Sequence, residues 1–265
     1  MTRDMMHRLL HAAVIATACA AVPATAIAAG LPQLILVGDS TMASETGYGD
    51  ALCKLFKPEV ACLNRAKGGR STSSYRAEGS WNAVLQELHN APADRTTYVL
   101  IQFGHNDQPG KPGRSTDLAT EYPANLAHYV REVQAAHATP ILVTPLTRRD
   151  FRDGQLQNTL VPWADAMRKV AREEHVQLLD LNADSAAAVQ AMGETEADTL
   201  AMAPPSPAST PTSTPEPAQK GERYRGFDHT HLGAKGAAYF SQMVAREWRQ
   251  ATPDIGAALN ADAAK

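Results

Sequence analysis

The sequence has 265 residues, of which 44% are hydrophobic, and a formal net charge of −3 at neutral pH. A chain of this length can bury a substantial core within one domain. Its charges are scattered and slightly acidic in sum, so the composition excludes the basic footprint typical of proteins that bind nucleic acids or anionic membranes.

The N-terminus has the pattern of a secretory signal peptide. Arg3 and Arg8 mark a weakly basic start, an apolar run follows, and the small residues up to Ala28 offer a cleavage site. The apolar run is too short and too interrupted to predict a membrane span. We therefore expect residues 1–28 to be removed and residues 29–265 to be exported, to the periplasm or to the medium.

Five almost continuously apolar runs alternate with stretches of helical character along the rest of the chain. The predicted strands are LILVG (34–38), VACLNRA (60–66), TYVLIQFG (97–104), TPILVTPL (139–146) and VQLLDL (176–181). The predicted helices cover residues 46–56, 79–90, 121–138, 161–175 and 233–250. Such runs suit parallel strands buried on both faces. The pattern predicts a single α/β domain, with a doubly wound, flavodoxin-like, mostly parallel five-stranded sheet and helices on both faces.

The first strand runs directly into Gly-Asp-Ser, which places Ser40 at its carboxyl end. Ligands bind at the carboxyl ends of strands in open sheets of this kind. Ser40 is therefore a candidate nucleophile. The alternative is that Ser40 caps the following helix, because serine is a preferred N-cap residue.

Two of the three cysteines, Cys53 and Cys62, follow the leader. In an oxidising compartment they could form a disulfide across this short loop. The alternative is two buried free thiols, and the sequence leaves the choice open. Neither cysteine has the spacing of a zinc ligand.

The loops after the second and third strands offer hydrogen-bond donors. Gly68 and Gly69 can bring a bare backbone N–H close to a ligand, and Asn106 carries an amide. Together with the N–H of Ser40, the N–H of Gly69 and the Asn106 side chain could hold an oxyanion. The alternative is that the glycines form an ordinary turn and that Asn106 forms an Asx-turn.

Three arginines, Arg70, Arg148 and Arg149, stand at predicted strand ends. A guanidinium group can bind the carboxylate of a sugar acid through two hydrogen bonds. We expect Arg70 and Arg148 to contact substrate. A surface position or a helix-capping role is the alternative for such residues.

A segment rich in Pro, Ser and Thr interrupts the pattern at about residues 199–220. This composition cannot bury enough apolar surface to fold, which predicts a disordered loop. The chain that follows holds one loop and one helix, too little for a second domain. We therefore interpret the segment as an insertion within a single domain.

The loop before the last predicted helix reads Asp-His-Thr-His. The spacing of Asp228 and His231 lets the carboxylate bind one imidazole nitrogen, which leaves the other free to deprotonate a serine. His229 and His231, with His105 from another loop, could instead bind a metal ion. That alternative would leave the serine, glycine and asparagine motifs unexplained, so we expect no metal and no other cofactor.

These motifs, in this order, resemble the SGNH (GDSL-type) hydrolase superfamily. Within it, GDSTMA, NRAKGGRSTSSYRAEG, FGHND, TPLTRRDFRDG and DHTHLGAKGA are similar to the rhamnogalacturonan acetylesterase family of carbohydrate esterases. The likeness covers nearly the whole mature chain, although the Pro/Ser/Thr-rich insertion departs from it. The resemblance implies that Ser40 is the nucleophile, His231 the base and Asp228 its orienting acid. It also implies an oxyanion hole made by Ser40, Gly69 and Asn106.

The sequence therefore predicts an exported, monomeric serine esterase that removes acetyl groups from a plant cell-wall polysaccharide such as rhamnogalacturonan. We expect it to bind the acetylated polymer or oligosaccharide, to bind no nucleic acid and to have no membrane span. An α/β-hydrolase is excluded because Met42 replaces the second glycine of G-x-S-x-G. Three alternatives remain: an esterase or thioesterase for another acyl group, a metal-dependent deacetylase, and an inactive carbohydrate-binding protein.

Overall fold

The computed structural model describes residues 30–92, 94–203 and 227–260. The predicted signal peptide and residues 204–220 of the predicted insertion lie outside these ranges. Within the described part of the chain, no helix is long and apolar enough to cross a bilayer.

A five-stranded sheet forms the centre of the molecule, and all of its strands are parallel. The strands are β1 (Gln33–Gly38), β2 (Ala61–Asn64), β3 (Thr97–Gln102), β4 (Thr139–Val143) and β7 (Gln177–Leu179). Their order is β2-β1-β3-β4-β7, so the chain turns to the other side of β1 between β2 and β3. A crevice therefore opens at the carboxyl ends of β1 and β3. The predicted fold class is confirmed.

Helices cover both faces of this sheet. They are α1 (Gly49–Cys53), α2 (Ser74–Ala77), α3 (Ser80–His89), α4 (Glu121–Ala135), α5 (Val161–Glu173), α6 (Leu181–Asp198) and α7 (Ala234–Ala251), followed by a 3-10 helix, η1 (Pro253–Ala258). Successive residues of β1 face opposite sides. Leu34 and Leu36 pack into a core with α1, α6 and α7, whereas Ile35 and Val37 pack into a second core with α3, α4 and α5.

Three features differ from the sequence prediction. Helix α6 was not predicted, and neither was the antiparallel hairpin of β5 (Phe151–Arg152) and β6 (Gln155–Leu156). Helix α1 is shorter than the predicted span of residues 46–56, because the chain makes turns up to Tyr48. The hairpin strands have two residues each, which is too short for an alternating pattern to be visible.

Cys53 and Cys62 form a disulfide that joins the end of α1 to β2. The question that the sequence left open is thus answered in favour of the disulfide. The disulfide links α1 covalently to β2, which is an edge strand and pairs with β1 alone in the described sheet.

The start of the predicted insertion is corrected by the structure. Leu200 and Ala201 are buried, and Ala201 forms a β-bridge with Leu232. This packing lies within the span that was predicted to be disordered from Thr199. The packed chain after α6 therefore extends at least to Ala201.

Candidate active site

The turn after β1 is built around Asp39. Its Oδ1 atom accepts hydrogen bonds from the Thr41 N–H at 2.9 Å and from the Thr41 hydroxyl at 2.8 Å. Ser40 lies in this turn and is 8% exposed. The next helix, α1, begins at Gly49 and has Tyr48 as its N-cap residue. Ser40 is therefore not an N-cap residue, and the alternative that it caps the following helix is wrong.

Asp228 and His231 form a compact hydrogen-bonded unit before α7. The His231 Nδ1 atom lies 2.8 Å from Asp228 Oδ2, and Asp228 Oδ1 accepts the N–H groups of Thr230 and His231 at 2.9 Å. Burial alone would raise the pKa of Asp228, but these hydrogen bonds and the His231 side chain hold it below its usual value. The carboxylate is thus held ionised and fixes the orientation of the imidazole.

A pocket of about 620 Å³ at the carboxyl edge of the sheet brings these groups together. Its lining includes Ser40, Asn106, Asp228 and His231. Ser40 and His231 are both among the described residues, and no hydrogen bond joins the Ser40 hydroxyl to the His231 imidazole in this structure. Catalytic hydrogen bonds of this kind often tighten only when substrate is bound.

The Asn106 amide is held so that one N–H remains available. Its Nδ2 atom donates to the Arg70 carbonyl at 3.0 Å, and its Oδ1 atom lies 3.5 Å from the Arg114 guanidinium. An amide nitrogen has two hydrogens, and one is used in this contact. The other can serve an oxyanion in the pocket that Asn106 lines.

The glycine loop after β2 passes beside Ser40. A Cβ atom on Gly68 would lie 3.8 Å from the Ser40 Cβ. Gly69 has a φ of +79°, in the left-handed region that favours glycine. The N–H groups of Ser40 and Gly69 donate to no acceptor in the described ranges. Both are therefore available as backbone donors, although Gly69 itself is not part of the pocket lining.

Asp107 ties the loop after β3 to the glycine loop. Its carboxylate accepts hydrogen bonds from the Thr72 N–H at 3.0 Å and from the Thr116 hydroxyl at 3.0 Å. Burial raises the pKa of Asp107 to about 6, against the effect of these hydrogen bonds. Because Asp107 follows Asn106 directly, this network also fixes the position of the candidate oxyanion donor.

A second carboxylate–imidazole pair, Asp39 and His105, lies at the same edge. Both side chains are buried, and the His105 Nδ1 atom lies 3.2 Å from Asp39 Oδ2. Burial lowers the pKa of His105, and the neutral imidazole donates its Nδ1–H to the carboxylate. Burial would raise the pKa of Asp39, but His105 and the Thr41 hydrogen bonds hold it low. Sequence motifs gave no signal for this pairing.

The predicted substrate-binding arginines have different surroundings. The Arg70 guanidinium pairs with Glu78 at 2.8 Å and is not part of the pocket lining. Arg148 lines the pocket together with Lys111, and its guanidinium donates to the Thr159 hydroxyl at 3.1 Å. Lys111 was not predicted from the sequence, since a lysine in a loop carries no distinguishing pattern.

The three pocket histidines have separate partners. His231 contacts Asp228, His105 contacts Asp39, and the His229 Nδ1 atom lies 3.7 Å from Asp198 Oδ1. Within residues 30–92, 94–203 and 227–260, no group of three or more His, Cys, Asp or Glu side chains is placed to hold a metal ion.

The chain is similar to known esterases and acylhydrolases. Residues 36–239 match the model of the GDSL-like lipase/acylhydrolase family. The chain is 34% identical over 221 residues to rhamnogalacturonan acetylesterase RhgT of Bacillus subtilis, covering 80% of this chain and 88% of RhgT. It is 30% identical over 221 residues to the probable rhamnogalacturonan acetylesterase YesY of the same organism, covering 81% and 91%.

Solved structures show the same fold. The acetylxylan esterase Axe2 from Geobacillus stearothermophilus matches with a TM-score of 0.56 and 18% identity, covering 84% of this chain and 94% of Axe2. The lipase/acylhydrolase from Enterococcus faecalis matches with a TM-score of 0.52 and 17% identity, covering 83% and 96%.

Proposed function

Because the chain belongs to the GDSL-like lipase/acylhydrolase family, we propose that it is an exported carbohydrate acetylesterase that removes acetyl groups from plant cell-wall rhamnogalacturonan. The observation that carries this proposal is the pocket at the carboxyl edge of the sheet, which Ser40, Asn106, Asp228 and His231 line together. Rhamnogalacturonan acetylesterases at 30% and 34% identity support the acetyl ester as the substrate group.

The first half of the reaction transfers the acetyl group to the enzyme. Ser40 Oγ attacks the ester carbonyl while His231 Nε2 takes the hydroxyl proton, and Asp228 stabilises the imidazolium that forms. The negative charge on the carbonyl oxygen is held by the N–H groups of Ser40 and Gly69 and by the Asn106 amide. The C–O bond to the sugar then breaks, and His231 gives its proton to the departing sugar oxygen.

The second half releases acetate. A water molecule gives a proton to His231 Nε2 and attacks the acetyl-serine carbonyl, and the same three donors hold the oxyanion. The bond to Ser40 Oγ breaks, His231 returns the proton to this oxygen, and acetic acid leaves and ionises to acetate in solvent. The proton transfers to and from the reacting oxygens pass through one imidazole, so no metal ion is needed in this scheme.

Two cations in the pocket support an acidic polymer rather than a neutral one. Lys111 and Arg148 line the pocket, and no carboxylate in the described part of the chain forms an ion pair with either. Burial lowers the pKa of Lys111, and the charge of Arg148 adds to this effect. The charges of Asp39 and Asp150 oppose the effect of burial on Arg148, whose pKa nevertheless stays lowered. The carboxylate of a uronic acid would give these partly buried cations a further partner.

The serine mechanism is tested with Ser40→Ala. We expect ester hydrolysis to fall by at least about ten-thousandfold, with the circular dichroism spectrum unchanged. Ser44→Ala is the matched control, because Ser44 is an exposed serine in the same turn. A serine-directed sulfonyl fluoride should inactivate the enzyme, and EDTA should have no effect. Loss of activity in EDTA with recovery on adding zinc would contradict the proposal.

Polymer preference is tested by acetate release from acetylated rhamnogalacturonan, acetylated xylan and an aryl acetate. We expect kcat/KM to be highest on rhamnogalacturonan. Arg148→Gln should lower kcat/KM on this polymer by about tenfold or more, with a smaller effect on the aryl acetate. Arg70→Gln is the matched control, since the Arg70 guanidinium is paired with Glu78. Equal rates on the two polymers, unaffected by Arg148→Gln, would exclude carboxylate recognition.

A further inference from the structure

Arg149 is a fully buried cation, with 0% of its surface exposed. Arginine is rarely buried in proteins unless it is paired with a carboxylate. In the described part of the chain, however, no carboxylate forms an ion pair with Arg149. The acceptors of its hydrogen bonds must therefore compensate for burying this charge.

All the hydrogen bonds of Arg149 to the loop before α7 end on backbone carbonyls. One guanidinium nitrogen, Nη2, donates to the Asp228 carbonyl at 2.8 Å and to the His231 carbonyl at 2.9 Å. The other, Nη1, lies 3.5 Å from the Thr230 carbonyl. The Arg149 N–H donates to the His229 carbonyl at 2.8 Å. One residue therefore binds four consecutive carbonyls.

The loop is held from two sides by groups of opposite charge. The Asp228 carboxylate accepts the N–H groups of Thr230 and His231, while Arg149 takes the carbonyls. Burial lowers the pKa of the Arg149 guanidinium, and the charges of Asp228 and Asp198 oppose that change. Without the Arg149 side chain the Asp228 and Thr230 carbonyls would lose this donor, whereas the His229 carbonyl would keep the backbone N–H of residue 149 and the His231 carbonyl would keep the Met202 N–H.

We propose that Arg149 is a positioning residue, which holds the Asp228–His231 loop so that the imidazole faces Ser40. This inference rests on the proposed function, in which His231 is the base. The planar guanidinium reaches two carbonyls from one nitrogen while a second nitrogen faces a third, and a lysine ammonium cannot reproduce this arrangement. A small displacement of the base slows the chemical step and leaves binding of a small ester unchanged.

The test is Arg149→Lys, compared with Arg168→Lys as the matched control. Arg168 is partly buried, but it pairs with Asp180 at 2.7 Å and is not part of the pocket lining. For an aryl acetate, Arg149→Lys should lower kcat by about tenfold to hundredfold with KM changed by less than about twofold. Arg168→Lys should lower the melting temperature and leave kcat unchanged. Unchanged kcat in Arg149→Lys would overturn the proposal.

A second variant separates positioning from a general loss of stability. Arg149→Ala should regain kcat in a saturable way on addition of millimolar guanidinium chloride, whereas sodium chloride and urea should have no effect. Loss of native circular dichroism in both Arg149 variants would instead assign Arg149 a structural role and overturn the proposal. Ser40→Ala is assayed alongside, because activity comparable to that of the parent protein in this variant would overturn the proposed function itself. An inactive Ser40→Ala with a fully active Arg149→Lys would overturn the inference about Arg149 alone.

Discussion

Asp39, the residue before the candidate nucleophile, connects two loops that carry different parts of the site. Its Oδ1 atom holds the turn after β1 through Thr41, and its Oδ2 atom contacts His105 in the loop after β3. Because Asn106 follows His105, one buried carboxylate fixes the nucleophile relative to the oxyanion donor. The Asp39–His105 pair therefore contributes geometry to the site, while proton transfer is assigned to His231.

Asn106→Ala tests the oxyanion site at the level of one amide. Loss of a single oxyanion donor should lower kcat by about a hundredfold or more, with KM little changed. Steady-state kinetics on an aryl acetate measure both constants. Gln108→Ala is the control, because Gln108 lies in the same loop and its amide donates to the Thr159 carbonyl. An unchanged kcat in Asn106→Ala would show that this residue only shapes the turn.

The sequence predicts site residues best where they follow strands. Ser40, Asn106 and Arg148 each come after an apolar run, and parallel strands bring their carboxyl ends to one edge. The role of Arg149 could not be predicted in this way, because its carbonyl partners lie 79 to 82 residues along the chain. A contact between a side chain and a distant backbone leaves no periodic pattern.

At the level of elements, the strands were predictable and one helix was not. The three central strands β1, β3 and β4 contain runs of Val, Ile and Leu that the structure buries on both faces, whereas the edge strands β2 and β7 are only partly buried. Helix α6 is rich in alanine, which marks no clear apolar face. It is also interrupted at Gly193, whose φ of +73° breaks the helical backbone. The sequence therefore gives two short, weakly patterned segments in place of one helix.

The contact between α6 and α7 contains a cluster of carboxyl groups. Glu247 on α7 is partly buried near Asp184 on α6 and near Asp180, the residue before α6. Burial raises the pKa of Glu247 to about 8, and the charges of the two aspartates add to this effect. At neutral pH the Glu247 carboxyl group is thus mostly protonated.

Glu247→Gln should change how stability depends on pH. The folded protein binds the Glu247 proton more tightly than the unfolded chain, whose pKa is 4.5, so stability is lost as pH rises from 4.5 to about 8. Glutamine cannot ionise, and the variant should be more stable at pH 9 by on the order of 1 kcal/mol, or about 2–4 °C in melting temperature. The gain should vanish near pH 4.5.

Thermal melts between pH 4.5 and pH 9 measure this effect. Glu173→Gln is the control, since Glu173 is a mostly exposed residue of α5 that faces Lys169. A pH-independent difference between Glu247→Gln and the parent protein would contradict the assigned protonation state.

Across the whole molecule, the site depends on loops that meet from both halves of the chain. Thr46 is the link between the first and the last of them. Its hydroxyl donates to the Ser40 carbonyl at 2.7 Å, and its own carbonyl accepts the Leu232 N–H at 2.9 Å. The loop that carries His231 is also bound to the segment after α6, because the Met202 N–H donates to the His231 carbonyl at 3.1 Å. These contacts join the Ser40 turn, the segment after α6 and the His231 loop.

We expect the Pro/Ser/Thr-rich insertion to be dispensable for folding and for hydrolysis of small esters. Its composition predicts no packed core, and the loop-closure free energy changes by only about 0.6 kcal/mol for each doubling of length. Replacing residues 206–220 by a short Gly/Ser bridge should therefore shift the melting temperature by less than about 3 °C. Aryl acetate turnover should stay within about twofold, because Arg149, Thr46 and Met202 bind the loops that carry Ser40 and His231. A Gly/Ser replacement of equal length separates the effect of composition from that of length. If melting temperature and turnover both collapse in the two variants, the insertion supports the Asp228–His231 loop, and its interpretation as an unpacked loop is wrong.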